Sequence, residues 1–197
     1  MGARQCYELI ATKDLAELAG IIIEPGGFAC LFRERADLLF QKSVAAQDLW
    51  RGLKLDPLLD AETPASKLDA LDRLLQNSIG EPAKRSDLVD GALVFLKRPN
   101  ASVRECAKSQ AVSERRLSQV FREQVGMSPK MWSRIQRFQL AVTDLYRRTD
   151  VAWADLALRC GYYDQSHFIH DFQAFSGINP TTYSGLRGRC KITSEFS

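Results

Sequence analysis

In the second half of the chain the apolar residues recur at helical spacing, and polar residues divide that pattern into short helices. Val103, Cys106 and Ala107 share one face of a segment that starts at Ala101 or Ser102 and ends near Ser109. Gln110-Ala111-Val112 reads as a turn, and Ser113 as the cap of the next helix, with Leu117, Val120 and Phe121 inward. Gly126 can take the left-handed conformation that ends this helix. Ser128 and Pro129 then open a long helix to about Arg148, with Trp132, Ile135, Phe138, Ala141 and Leu145 inward. Another helix spans Val151–Arg159, where Ala154, Leu156 and Ala157 pack and Asp155 is solvated. Gly161-Tyr162-Tyr163 turns the chain, and Asp164 caps a helix that buries Phe168, Phe172 and Phe175. Gly177 stops it, and Pro180 starts a last short helix ending near Tyr183.

This pattern contains a repeat. Ser113, Leu117, Phe121, Gly126 and Pro129 reappear as Asp164, Phe168, Phe172, Gly177 and Pro180, each displaced by 51 residues. The unit is a short helix, a turn and a capped second helix, which is a helix-turn-helix. Two matched reading helices suit duplex DNA, whose grooves recur once per turn.

The front half is patterned differently. Tyr7–Ala11 and Ala19–Ile23 read as strands, the second ending in three β-branched residues before the turn Pro25-Gly26-Gly27. Phe28–Phe32 fits a returning strand, and beyond Arg33 Ala36, Leu39 and Phe40 take helical spacing. So few strands need cover from helices or another chain. Residues 57–66 form a break, after which Ser66 caps a helix to about Asn77 with the stripe Leu68, Leu71, Leu74 and Leu75. Gly80-Glu81-Pro82 ends it. Ser86 caps another, with Val89, Ala92, Leu93 and Leu96 inward, closed by Arg98-Pro99-Asn100. These leucine-rich helices read as ordinary packing, a linker, a dimer contact or a lid.

The polar faces carry the candidate chemistry. Opposite Leu117 and Phe121 lie Arg115, Ser118, Gln119 and Arg122. Opposite Phe168 and Phe172 lie Ser166, Ile169, His170 and Gln173, with Gln165 at the flank. Arginine can fork onto guanine, glutamine onto adenine, and serine can meet base or phosphate. Taken alone, one such face reads as the solvated side of an ordinary helix. Lys130, Arg134 and Arg137 add positive charge at the start of the long helix, where phosphate contact and plain solvation are both open.

Charge sharpens the picture. Residues 1–98 hold 13 Lys+Arg and 15 Asp+Glu, whereas residues 99–197 hold 14 and 9, so the basic excess accompanies the repeat. Five widely spaced cysteines, at positions 6, 30, 106, 160 and 190, form no C-x-x-C pair and suit a reducing cytoplasm. His167 and His170 are neighbours on a helix, but the chain has no third histidine and no metal is expected. No signal peptide, myristoylation motif or membrane-length apolar run is visible. No activated cysteine stands out, so neither an enzyme nor a cofactor is expected.

Ser113-Glu-Arg-Arg-Leu-Ser-Gln-Val-Phe-Arg122 with Gly126-Met-Ser-Pro129, then Arg134-Ile-Gln-Arg-Phe-Gln-Leu-Ala141, then Leu156–Phe172 with Gly177-Ile-Asn-Pro180-Thr-Thr-Tyr183, stand in a fixed order and spacing. Together these stretches resemble the AraC/XylS family of bacterial transcriptional regulators. The resemblance implies an all-helical domain of two helix-turn-helix units joined by one long helix, both reading helices entering successive segments of the major groove. It implies base contact by Arg115, Ser118 and Gln119 in the first unit and by Gln165, Ser166, Ile169 and His170 in the second. Ala111 stands where the family usually has glycine, Trp132 where tyrosine is common, and Tyr162 where phenylalanine is common. The stretches Ile21–Phe28 and Gln47–Gly52 resemble the later part of a sensor domain found ahead of this module. Its earlier strands are missing, so the sensor is expected to be N-terminally short.

The expectation is a mainly α protein. A small α+β sensor-like region covers 1–56, linker helices cover 57–98, and the double helix-turn-helix covers 99–197. It is expected to regulate transcription in the cytoplasm by reading an asymmetric bipartite site through Arg115, Ser118, Gln119, Arg122, Gln165, Ser166, Ile169 and His170, with Lys130 and Arg134 alongside. Its partners are double-stranded DNA, with RNA polymerase and a second copy as further candidates, and no membrane. The alternative is an interaction module, non-sensing or weak on DNA, acting through the leucine-rich helices.

Overall fold

A computed structural model describes residues 20–50, 53–78, 83–148 and 151–185. In chain order the helices are α1 (Gly27–Phe32), α2 (Ala46–Leu49), α3 (Asp56–Leu59), α4 (Pro64–Ser78), α5 (Asp87–Leu96), α6 (Val103–Ser109), α7 (Glu114–Val125), α8 (Pro129–Arg147), α9 (Trp153–Arg159), α10 (Gln165–Ser176) and α11 (Pro180–Gly185). The described residues form two compact units, one from 20–89 and 119–127, the other from 90–118 and 128–185.

The expected α+β character of the first unit is not borne out, because no strand occurs among the described residues. Phe28–Phe32, expected as a strand, lies in α1. A spacing of four puts Phe28 and Phe32 on one side of either a helix or a strand, so the pattern could not decide. The turn decides it. Gly26 is left-handed, the Gly27 N–H donates to the Glu24 carbonyl at 2.8 Å, and helix follows at once. The two rings then stack at 4.8 Å, and Phe32 meets Trp50 edge-on at 5.3 Å. Residues 20–23 have no pairing strand, and Ile21, Ile22 and Ile23 are exposed. β-branching favours a strand only where another strand offers its ladder. Tyr7–Ala11, Gly80–Pro82, Cys6 and Cys190 lie outside the described residues.

The expected break at 57–66 contains the helix α3, and α4 starts at Pro64, two residues before Ser66. Thr63 is the cap. Its hydroxyl accepts the Ser66 N–H at 3.1 Å, and the Ser66 hydroxyl accepts the Thr63 N–H at 3.0 Å. Pro64 therefore occupies the first helical position, where its missing N–H is harmless. Leu68, expected inward, is exposed, while Leu71, Leu74 and Leu75 are half-buried.

The second unit follows the sequence closely. Ser102 and Glu105 form a reciprocal capping box at α6. Ser128 caps α8, Asp164 caps α10, and the Asn179 side chain accepts the Thr182 N–H at 2.7 Å in α11. The core joins Ala141, Val142 and Leu145 of α8, Leu156 and Ala157 of α9, and Phe168 and Phe172 of α10. Phe138, Trp153 and Tyr183 pack around it. Ala154, expected inward on α9, is exposed, and Trp153 packs on the core instead.

The turns after α6 and α9 share one geometry. After α6, Ala111 N–H donates to Lys108 and Val112 N–H to Ala107; after α9, Gly161 N–H donates to Leu158 and Tyr162 N–H to Ala157. This is a Schellman closure, and its pivot is left-handed in both, at φ 54° for Ala111 and 80° for Gly161. Ala111 is exposed, so its methyl meets only the local backbone penalty. At Gly161 a methyl would stand 2.0 Å from the Pro99 carbonyl oxygen. Ala111→Gly is therefore expected to stabilise the protein by about 0.5–1 kcal/mol in urea denaturation. Gly161→Ala should destabilise it by more than that. Equal effects at the two turns would contradict this account.

Asp144 ties the end of α8 to α9, accepting from Arg148 Nε at 2.9 Å and from Arg159 at 2.8 Å. Partial burial works against its charge, but these two hydrogen bonds outweigh it and hold the carboxyl below its ordinary range. A depressed carboxyl stabilises the fold fully above its unfolded pKa of about 4, and the contribution fades as pH falls through the lower folded value. Asp144→Asn should therefore lower the melting temperature at pH 7 and lose that difference in strong acid. A difference that persists below pH 2 would exclude this origin.

Candidate nucleic-acid interface

Helix α7 is opened by Ser113, whose hydroxyl accepts the Arg116 N–H at 3.1 Å. Leu117, Val120 and Phe121 are buried, which turns Arg115, Gln119 and Arg122 to water, with Ser118 half-buried beside them. The amide of Gln119 is not loose. It donates to Glu123, one turn on, at 3.2 Å.

Helix α10 is opened by Asp164, whose carboxylate accepts the His167 N–H at 2.7 Å. Burial of Phe168, Phe172 and Phe175 turns Gln165, Ser166, His167 and His170 outward. Ile169 is half-buried and packs against the core, so only part of it reaches the surface. His170 is the most open of the two histidines, its side chain 81% exposed against 42% for His167.

Lys130 is exposed in the first turn of α8. Arg134, one turn further, is not a free cation. It grips Asp171 of α10 through NH2 at 2.7 Å and Nε at 3.3 Å, and its guanidinium lies 5.2 Å from the centre of the Phe175 ring. The hydrogen bond to Asp171 raises the pKa of Arg134 further. The phosphate role expected for Arg134 thus has a competitor inside the fold. Arg137 lies over the Tyr162 ring at 5.3 Å. Tyr162 is buried, its hydroxyl has no hydrogen-bond partner among the described residues, and burial holds that hydroxyl protonated far beyond its usual range.

Asp171 is the residue that the periodic reading passed over. It is 2% exposed, and both histidines approach it, His167 at 3.8 Å and His170 at 3.9 Å. Its signal was present: a lone carboxylate between Phe168 and Phe172 on the inward stripe of a helix needs a cation opposite. The pairing with Arg134 clamps α10 onto α8 and places the carboxylate beside His167 and His170.

Among the described residues no cluster of His, Cys, Asp and Glu could hold a metal ion, and no helix is long and apolar enough to cross a membrane. Burial pushes the Cys106 thiol up and the Cys160 thiol to about 11, so both are protonated at neutral pH.

Residues 106–185 match the family model described as a helix-turn-helix domain. Residues 106–185 therefore carry a helix-turn-helix domain. The chain is similar to the HTH-type transcriptional activator RhaR of Yersinia pseudotuberculosis and of Yersinia pestis, 38% identical over 78 residues in each. That stretch is 40% of this chain and 26% of the relatives, so the chain matches about a quarter of their length. The fold is also that of the C-terminal domain of AraT, a response regulator from Geobacillus stearothermophilus, with a TM-score of 0.50 at 22% identity. That match covers 56% of this chain and 93% of the AraT domain.

Asp171→Ala should cost about 2–3 kcal/mol in urea denaturation, below the range for a fully buried pair because Arg134 can turn to water. A loss under about 0.5 kcal/mol, the size of an exposed pair, would mean that Asp171 is not a clamp.

Proposed function

We propose that this protein is a DNA-binding transcription regulator that reads one asymmetric, two-part site. One observation carries this reading: the two helix-turn-helix units share the turn, the cap and the apolar anchors, yet present different exposed side chains. Arg115, Ser118, Gln119 and Arg122 stand on α7; Gln165, Ser166, His170 and the edge of Ile169 stand on α10. Matched scaffolds with different faces suit two unlike half-sites held by one chain rather than a palindrome. The names of the matching relatives, transcriptional activators, point the same way.

In this reading Arg115 forks onto guanine, Gln119 onto adenine, and Gln165 and His170 onto base edges of the second half-site. Lys130 and Arg122 meet phosphate and fix the register. A second reading, assembly through the leucine-rich helices, is favoured by the exposure of Leu68 at 58% and Val94 at 67%. A dimer by light scattering with no footprint on any selected DNA would favour it over the first.

Selection of bound sites from a random oligonucleotide pool tests the main reading. Arg115→Ala should relax one half-site and His170→Ala the other, each by roughly 1–3 kcal/mol of discrimination. Lys130→Ala should weaken all sequences alike and lower the salt slope by about 1. If Arg115→Ala and His170→Ala weaken every sequence equally, these side chains hold phosphate rather than read bases.

A further inference from the structure

Three contacts within the first compact unit converge on one base-facing side chain. Gln119 donates its amide N–H to Glu123 Oε1 at 3.2 Å. The same oxygen lies 3.7 Å from a guanidinium nitrogen of Arg35. Arg35 in turn is forked onto Asp37, through Nε at 3.0 Å and NH2 at 2.7 Å. The backbone between them is seated. Ala36 is buried, and a methyl placed on Gly126 would stand 3.1 Å from the Ala36 carbonyl oxygen. Gly126 is left-handed at φ 90° and ends α7 there. Residues 35–37 therefore run along the end of the helix that carries Gln119.

We propose that Glu123, tethered by Arg35, is a positioning residue that sets the side-chain amide of Gln119 for adenine. The inference rests on the DNA-reading function above. A glutamine amide has two N–H donors and one acceptor oxygen. Glu123 occupies one N–H, which leaves one N–H and the oxygen. Those two groups are the pair that adenine requires, N–H to N7 and oxygen from the 6-amino group. Without Glu123 the amide rotates freely, and a half-turn exchanges donor and acceptor. Arg35 serves two ends. It holds the carboxylate of Glu123 in place, and it offsets Glu123 and Asp37, two negative charges close to a face that would meet phosphate. The front segment thereby becomes part of the reading apparatus, since any movement of 35–37 would release Glu123.

The links are exposed, with 57% of the Arg35 side chain and 30% of Glu123 open to water. Pairs of this kind add little to folding, so variants should fold normally and the effect should appear in base preference. The test is site selection from a random oligonucleotide pool by the full chain, alongside thermal melting. Gln119→Ala should erase the preference for adenine at one position of the first half-site. Glu123→Ala should reduce preference there about fivefold, part of what a bidentate contact supplies. Glu123→Gln, whose oxygen still accepts from the amide, should keep most of it, and Arg35→Ala should fall between. Preferences in the second half-site and melting temperatures should not move. Unchanged adenine preference in Glu123→Ala, a uniform loss across all positions, or no adenine position that answers to Gln119→Ala would each overturn this inference and leave the DNA-reading function standing. If the unaltered chain enriches no motif at all, both fall together.

Discussion

The second unit depends on the burial of two rings, Phe168 and Phe172, in one helix of twelve residues. Helices this short do not persist alone in water, and α9 has only seven residues. What holds them is the aromatic cluster. Phe172 meets Phe138 of α8 at 5.1 Å, Phe168 at 5.6 Å and Tyr183 of α11 at 5.4 Å, while Phe168 takes Tyr162 at 5.4 Å and Trp153 at 6.3 Å. Each fully buried phenylalanine contributes roughly 1.5–3 kcal/mol, and edge-to-face contacts add to it. Because the rings fix the rotation of α10 about its axis, they also fix which side chains face water. The exposed polar face is a by-product of where the apolar stripe must go.

A buried charge works within that cluster. Asp171 lies among the rings and would be costly without a partner. Arg134 supplies one, stacks on Phe175, and so belongs at once to the ion pair and to the aromatic packing. A cation placed to meet a polyanion and a cation used to neutralise a buried carboxylate look alike in a sequence. Here Arg134 is paired with the buried Asp171, and Lys130 is exposed one turn earlier.

The two turns show how one geometry tolerates different residues. Both close with the same pair of backbone bonds and the same left-handed pivot. Glycine is needed only at Gly161, where the Pro99 carbonyl lies against the α-carbon; Ala111 faces water and escapes that clash. The second turn also holds one more residue before its cap, with Tyr163 exposed there. That extra residue is why the caps of α7 and α10 repeat at 51 residues while the turn pivots repeat at 50.

Residues 102–148 and 151–183 were largely legible in the sequence, since helical period, caps and stop signals agree there except at Ala154. Ser113, Ser128 and Asp164 cap as their positions require. The inward sets on α7 and α10 are buried, so periodicity gave the division between core and candidate reading face except at Ile169, which packs on the core, and at Asp171, which is buried. Residues 20–40 were not legible. A phenylalanine pair four apart satisfies both periods, and three isoleucines cannot make a strand without a neighbour. Nor could the sequence pair Arg134 with Asp171 or bring Arg35 to Glu123, residues 37 and 88 positions apart. Local patterns decide which side of a helix is apolar, because that follows from spacing within one turn. Which distant charge meets which, and whether a short apolar segment becomes helix or strand, was left to the tertiary fold, because both depend on what the rest of the chain brings alongside.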